Sequence, residues 1–129
     1  MIFLLDNNFP PQLAKALELL DQEDCQYRHS AAEFGADAPD EVIFVGVKER
    51  GWFLVTQDAA MHRKPAQRRA ILDSGIGVFV FTGRAERTFR EVASFVLDRT
   101  GEMIEYARRS KLPFICSIPD RGRLKRLSE

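Results

Sequence analysis

Asp6 and Asp58 carry the chemistry that the chain most plainly offers, because each carboxylate closely follows a short apolar run. Ile2-Phe3-Leu4-Leu5 leads into Asp6-Asn7-Asn8, and Trp52-Phe53-Leu54-Val55 leads into Thr56-Gln57-Asp58. If both runs are strands of a parallel sheet, the two carboxylates arrive at one edge, and carboxylates gathered there call for a cation. Mg²⁺ or Mn²⁺ takes hard oxygen ligands, often one or two carboxylates with waters and a substrate phosphate completing the octahedron. Asp40 and Glu41, which open a helical pattern, can supply further oxygens. Thr56 can orient Asp58 or touch a phosphate through its hydroxyl, and Asn8 places a neutral amide beside Asp6. The segment Met61-His62-Arg63-Lys64-Pro65, with Arg68 and Arg69, follows the Asp58 corner. Its cations Arg63, Lys64 and Arg68 are candidates for holding the phosphates of a nucleic-acid backbone.

Every one of these residues also has a plainer reading. Asp commonly ends strands in solvated turns, Asp37 can cap the helix that begins near Pro39, and Asp40 and Glu41 simply suit a positive helix N-terminus. Thr56 can be an ordinary β-branched strand residue, Asn8 a turn residue before Pro10, and the basic segment a solvated helix face. His62 is a possible proton donor, or only a surface histidine. A zinc site would need Cys25, His29, His62 and Cys116 to converge, yet only Cys25 and His29 share a local spacing. The cysteines are expected to be buried thiols rather than a disulfide.

The elements that must position these groups alternate in type. Strand one is Ile2 to Leu5. Pro10-Pro11 opens a helix carrying Leu13, Ala14, Leu17 and Leu20, since proline is tolerated in a first helical turn. After an acidic turn, Cys25 to His29 reads as a second strand, and Ser30 to Pro39 as a loop. Asp40 to Arg50 reads as a helix with acids at its start and Lys48 and Arg50 at its end, stopped by Gly51. Trp52 to Val55 is the third strand, Ala66 to Leu72 a helix, and Val78 to Phe81 the fourth strand, framed by Gly75 and Gly77. Glu86 to Arg109 is one long helix or two, because Gly101 interrupts it. Leu112 to Ile118 is the last strand, Pro119 to Gly122 a turn, and the tail to Leu127 either pairs back as a hairpin or stays loose.

Repeated strand-helix-strand units predict an α/β three-layer sandwich, a mostly parallel central sheet with helices on both faces. Such sheets bind ligands outside the carboxyl ends of their strands. With 129 residues and 45% hydrophobic content, the chain suits a single domain over 1–129. Its longest apolar runs, such as Ile76 to Phe81, fall far short of the roughly 18 residues of a membrane span. No basic-plus-apolar leader precedes the first strand, so a cytoplasmic protein is expected. Net charge is zero but unevenly spread: residues 1–60 hold 4 Lys/Arg against 11 Asp/Glu, and residues 61–129 hold 15 against 8. That pattern suits an acidic metal pocket beside a basic phosphate track, although solvated helix faces also produce it.

Taken together, Phe3-Leu4-Leu5-Asp6-Asn7-Asn8, Pro39-Asp40-Glu41-Val42-Ile43 and Gly51-Trp52-Phe53-Leu54-Val55-Thr56-Gln57-Asp58 resemble the compact PIN-like nucleases over residues 2 to about 82. The pattern is most similar to the branch found as toxins of toxin-antitoxin pairs, and Pro113-Phe114-Ile115 also suits that branch. The resemblance implies a metal-dependent endoribonuclease acting on RNA, with Asp6, Asp40 or Glu41, and Asp58 as the acidic cluster and Asn8 and Thr56 as accessory polar positions. It further implies a cognate antitoxin as partner. One departure is that Ala59-Ala60-Met61-His62 lacks the further acid that larger PIN domains often add after Thr-x-Asp.

Two other readings stay open. A phosphoacceptor receiver domain shares acids after strands one and three, and Thr82 after strand four, but usually needs a lysine ending strand five, where Lys111 instead precedes the strand. A PIN-like interaction module without catalysis is the other, with Phe89 and Phe95 serving a partner or a homodimer if they are not core.

Overall fold

The computed structural model describes residues 1–20, 25–58, 60–83 and 87–127, without the side chain of His62. The acidic turn after Leu20, the expected helix start at Glu86, and His62 as a zinc ligand or proton donor therefore lie outside the described residues.

A six-stranded sheet runs in the order β2-β1-β3-β4-β5-β6, where β1 is Ile2–Leu5, β2 Gln26–His29, β3 Phe53–Thr56, β4 Gly77–Phe81, β5 Phe114–Ile118 and β6 Lys125–Arg126. All pairings are parallel except β5 with β6, so the tail takes the hairpin alternative. Alternation along the strands divides the core by face, since successive side chains of a strand point to opposite sides. Phe3, Leu5, Val55, Phe79, Phe81 and Phe114 join one cluster with α1 (Leu13–Leu20) and α6 (Phe89–Arg109). Leu4, Leu54, Val78, Val80 and Ile115 join the other, with α3 (Asp40–Arg50), α4 (Ala60–Arg63) and α5 (Pro65–Ser74), while Phe34 of α2 (Ser30–Phe34) packs against it. This is the expected three-layer α/β sandwich. Among the described residues, no helix is long and apolar enough to cross a membrane.

Several boundaries differ from expectation for local reasons. Helix α1 begins at Leu13, because Pro10 and Pro11 lie in a turn closed by the Leu13 N–H on the Pro10 carbonyl. The expected loop from Ser30 contains α2, whose N-cap is His29: its Nδ1 accepts the Ala31 N–H at 3.1 Å. Histidine is not among the usual capping residues, so nothing in the residue types announced this helix. Asp37 does not cap α3; the N-cap is Pro39, and no side chain bonds there. Gly51 ends α3 as expected, in a left-handed conformation with φ 70° that glycine adopts without strain. Helix α6 is one helix: Gly101 sits exposed within it, and a capping box between Thr88 and Glu91 starts it. Phe89 is 43% exposed, whereas Phe95 packs edge-on against Phe81 with ring centroids 4.8 Å apart.

Candidate functional site

The strand order places the site. Consecutive crossovers run from β1 outward to β2 and then back past β1 to β3, so the winding direction reverses between β1 and β3, and ligands of open α/β sheets sit in the crevice at such a reversal. Asp6 leaves the carboxyl end of β1, and its N–H extends the pairing by one residue with a 2.9 Å bond to the Val55 carbonyl. Thr56 ends β3 beside it, and Asp58 follows. The expected arrival of Asp6 and Asp58 at one sheet edge is what the register produces.

Thr56, fully buried, is the hub of this corner. Its Oγ1 donates to Asp6 Oδ2 at 3.0 Å and accepts from Asn8 Nδ2 at 2.9 Å and from the Asp58 N–H at 3.0 Å. A hydroxyl offers one donor and two acceptor lone pairs, so Thr56 is saturated and ties both carboxylate-bearing segments to one atom. Asp6, 8% exposed, receives the Asn7 N–H on Oδ1 at 2.8 Å, leaving each of its oxygens a lone pair to offer outward. Asp58 Oδ1 accepts the Ala60 N–H at 2.9 Å and so starts α4, while Oδ2 has no partner among the described residues.

Two residues that sequence reasoning passed over complete the frame. Gln57 grips Asn8 twice, through its N–H on Asn8 Oδ1 at 3.2 Å and its Nε2 on the Asn8 carbonyl at 2.9 Å. Asn7 Nδ2 reaches the Ala36 carbonyl at 3.0 Å, fastening the exit of β1 to the segment that leads into α3. Both stand inside the motifs that carry the carboxylates; the missing signal was their distant partners, which only the fold supplies.

Helix α3 delivers Asp40 and Glu41 in its first turn. Much of Asp40 is exposed, yet its carboxyl is held above the ordinary carboxylate value, first by partial burial and then by repulsion from Asp6, Asp58 and Glu41. The direction of that shift fits Asp40 lying within electrostatic reach of Asp6 and Asp58, carboxylates carried by two other segments. Among the described residues no ion pair neutralises any of them, and none of the groups of His, Cys, Asp or Glu is drawn tightly enough to hold a metal as it stands. The donor set, all oxygen, fits a hard divalent cation.

The basic residues divide. Arg63 and Lys64 are exposed at the end of α4, close in sequence to Asp58. Arg68 is half-buried on α5 and, with Arg69, lines a concavity of about 260 Å³ separate from the one that Asp40 lines. Zinc is not supported: the His29 ring donates from Nε2 to the Phe9 carbonyl at 2.8 Å and spends Nδ1 on the α2 cap. Cys25 and Cys116 are free buried thiols, and three strands separate β2 from β5, or about 19 Å at ordinary strand spacing. Lys111 precedes β5 and so lies at the edge opposite Asp6, which leaves the receiver reading without its lysine.

A family model described as PIN like domain matches residues 1–83, a span that contains Asp6, Asn8, Asp40, Glu41, Thr56 and Asp58. The chain belongs to the PIN-like domain family. PIN-like domains are generally nucleases and usually employ divalent metals. The match also covers the β1/β3 reversal with its Thr56 hub, so the family segment and the site coincide. No curated protein and no solved structure matches the chain.

Proposed function

We propose that this PIN-like domain is a divalent-metal-dependent endoribonuclease, hydrolysing RNA phosphodiester bonds in the cytoplasm as the toxin of a toxin-antitoxin pair. The observation that carries the reading is the Thr56 hydroxyl, which ties the Asp6 carboxylate and the Asp58 backbone together at the carboxyl ends of β1 and β3, inside the segment that the PIN-like family model matches. Asp6, Asp40 and Asp58 would hold Mg²⁺ or Mn²⁺, with Glu41 as a further oxygen donor beside Asp40. When bound, the cation supplies Lewis-acid polarisation of the scissile phosphate and lowers the pKa of an attacking water. Thr56 keeps Asp6 and the Asp58 backbone at a fixed separation, and Asn8, held by Gln57, presses on that hydroxyl from the solvent side. Arg63, Lys64 and Arg68 hold flanking phosphates, an interaction that orders the backbone but does not choose a sequence. The toxin assignment draws on the resemblance of the motifs, and the exposed Phe89 offers an apolar contact to an antitoxin or to a second copy of the chain.

The test is cleavage of a mixed RNA panel by purified protein in Mn²⁺ or Mg²⁺. Activity that vanishes in EDTA and in folded Asp6→Asn and Asp58→Asn variants is expected. An inert wild type whose melting temperature Mn²⁺ does not raise would sink the reading. A PIN-like interaction module without catalysis is the second reading, favoured by the lack, among the described residues, of a preassembled metal-holding group.

A further inference from the structure

Helix α5 separates two concavities of opposite character. Pro65, Arg68, Arg69 and Leu72 line the basic one. The other is a groove of about 440 Å³ between α5 and the first turns of α3, within the ~300–1,000 Å³ range of small-molecule sites. Asp40 and Glu41 line it, so it shares with the carboxylate corner the two acids of the first turn of α3. Phe44, Val45, Met61, Ala66, Ala70 and Ile71 give it an apolar wall. Its charged groups only accept: Asp40, Glu41 and Asp73 are carboxylates, while the Ser74 hydroxyl already donates to the Ile71 carbonyl at 2.6 Å. Gln67 also lines the groove, and its Oε1 is closed from solvent without a hydrogen-bond partner among the described residues. A buried acceptor left unpaired is costly, so a donor brought into the groove beside Gln67 would satisfy it.

We infer that this groove is a nucleobase subsite for the nucleotide next to the scissile phosphate, selective for guanine. The inference rests on the nuclease reading and adds to it a source of sequence choice. A phosphate is excluded by the carboxylate lining, whereas a base brings flat apolar faces and edge donors. Of the RNA bases, guanine alone sets a ring N–H beside an exocyclic amine, two donors that match a carboxylate paired with the Gln67 amide oxygen. The basic side of α5 then takes the flanking phosphates, so one helix sorts base from backbone.

Binding of GMP, AMP, CMP and UMP is measured by calorimetry in EDTA, on wild type, Ala70→Trp, which fills the groove from an exposed helix position, and Gln67→Leu. GMP is expected to bind at least ~10-fold more tightly than UMP, a difference of about 1.4 kcal/mol. Ala70→Trp should abolish that binding and Gln67→Leu should erase the preference, while circular dichroism confirms that both fold. Equal binding of the four nucleotides, or binding unchanged in Ala70→Trp, overturns the inference. So does a groove that takes a Lys/Arg-rich peptide and no nucleotide. Because calorimetry in EDTA reads no cleavage, an inert wild type that still prefers GMP refutes the nuclease reading alone.

Discussion

Replacing Thr56 by Val keeps the shape of a fully buried side chain and removes the hydroxyl that joins β1, β3 and the Asp58 corner. Three hydrogen bonds are lost: one to the Asp6 carboxylate, one from the Asn8 amide and one from the Asp58 N–H. A bond to a charged group contributes about 2 kcal/mol net and a neutral one about 1. Asn8 is exposed and recovers a water, whereas the added methyl returns at most about 1 kcal/mol of apolar burial. The balance is a loss of about 2–3 kcal/mol. For a chain of this length that corresponds to a fall of roughly 6–15 °C in Tm. Urea unfolding followed by circular dichroism should show a lower midpoint with an unchanged slope, since the surface exposed on unfolding is the same. Thr56→Ser, which keeps the hydroxyl and gives up only a methyl, should cost about 1 kcal/mol. A Val variant within about 0.5 kcal/mol of wild type, or a Ser variant less stable than the Val variant, would refute the hub.

Other consequences are separable from this one. Asp40 has its pKa raised in the fold, so the native state binds a proton more tightly than the unfolded chain. The stability that Asp40 contributes, read as wild type against Asp40→Asn, should therefore be lost as pH rises from the unfolded Asp value, about 3.9, through the folded one, and Mn²⁺ should raise Tm more at pH 7 than near pH 4. Differential scanning fluorimetry reads both effects, and Mn²⁺ at about 100 times its Kd should add about 2.7 kcal/mol. His29→Leu removes the α2 cap and the bond to Phe9, and denaturant titration should show a loss of about 1–3 kcal/mol with no change in zinc affinity. Removing Arg63 and Lys64 together by alanine substitution should weaken RNA binding across all sequences. The slope of log affinity against log salt should flatten by about 1.4 if each contacts one phosphate of a single strand.

The sheet was legible because its strands are short apolar runs cut off by polar turns, and β1 was located to the residue. So were Asp6 and Asp58, since a parallel sheet leaves only one edge for residues that follow its strands. Helix α3 was equally plain, with Asp40 and Glu41 at one end and Gly51 at the other. What stayed hidden depends on partners far apart in the chain. Helix α2 exists because His29 turns its own ring onto the Ala31 N–H, while its other nitrogen is held by Phe9. Thr56 read as an aid to Asp58 or a contact to a substrate phosphate, but its bonds to Asp6 and Asn8 span 50 and 48 positions of sequence. Gln57 and Asn7 had no visible role until Asn8 and Ala36 were beside them. The basic segment read as one track, yet α5 turns Arg68 away from the groove that Asp40 lines.

The central claim is that carboxylates from β1, α3 and the Asp58 corner form one cation site. Electron paramagnetic resonance of free Mn²⁺ during titration measures this directly, on wild type, on Asp6→Asn, Asp40→Asn and Asp58→Asn, and on Asp37→Asn as an exposed acid ahead of α3 that does not cap it. The account predicts saturable binding that weakens at least ~10-fold in each of the three site variants and is unchanged in Asp37→Asn. Equal binding by all five proteins, or none by the wild type, would contradict it.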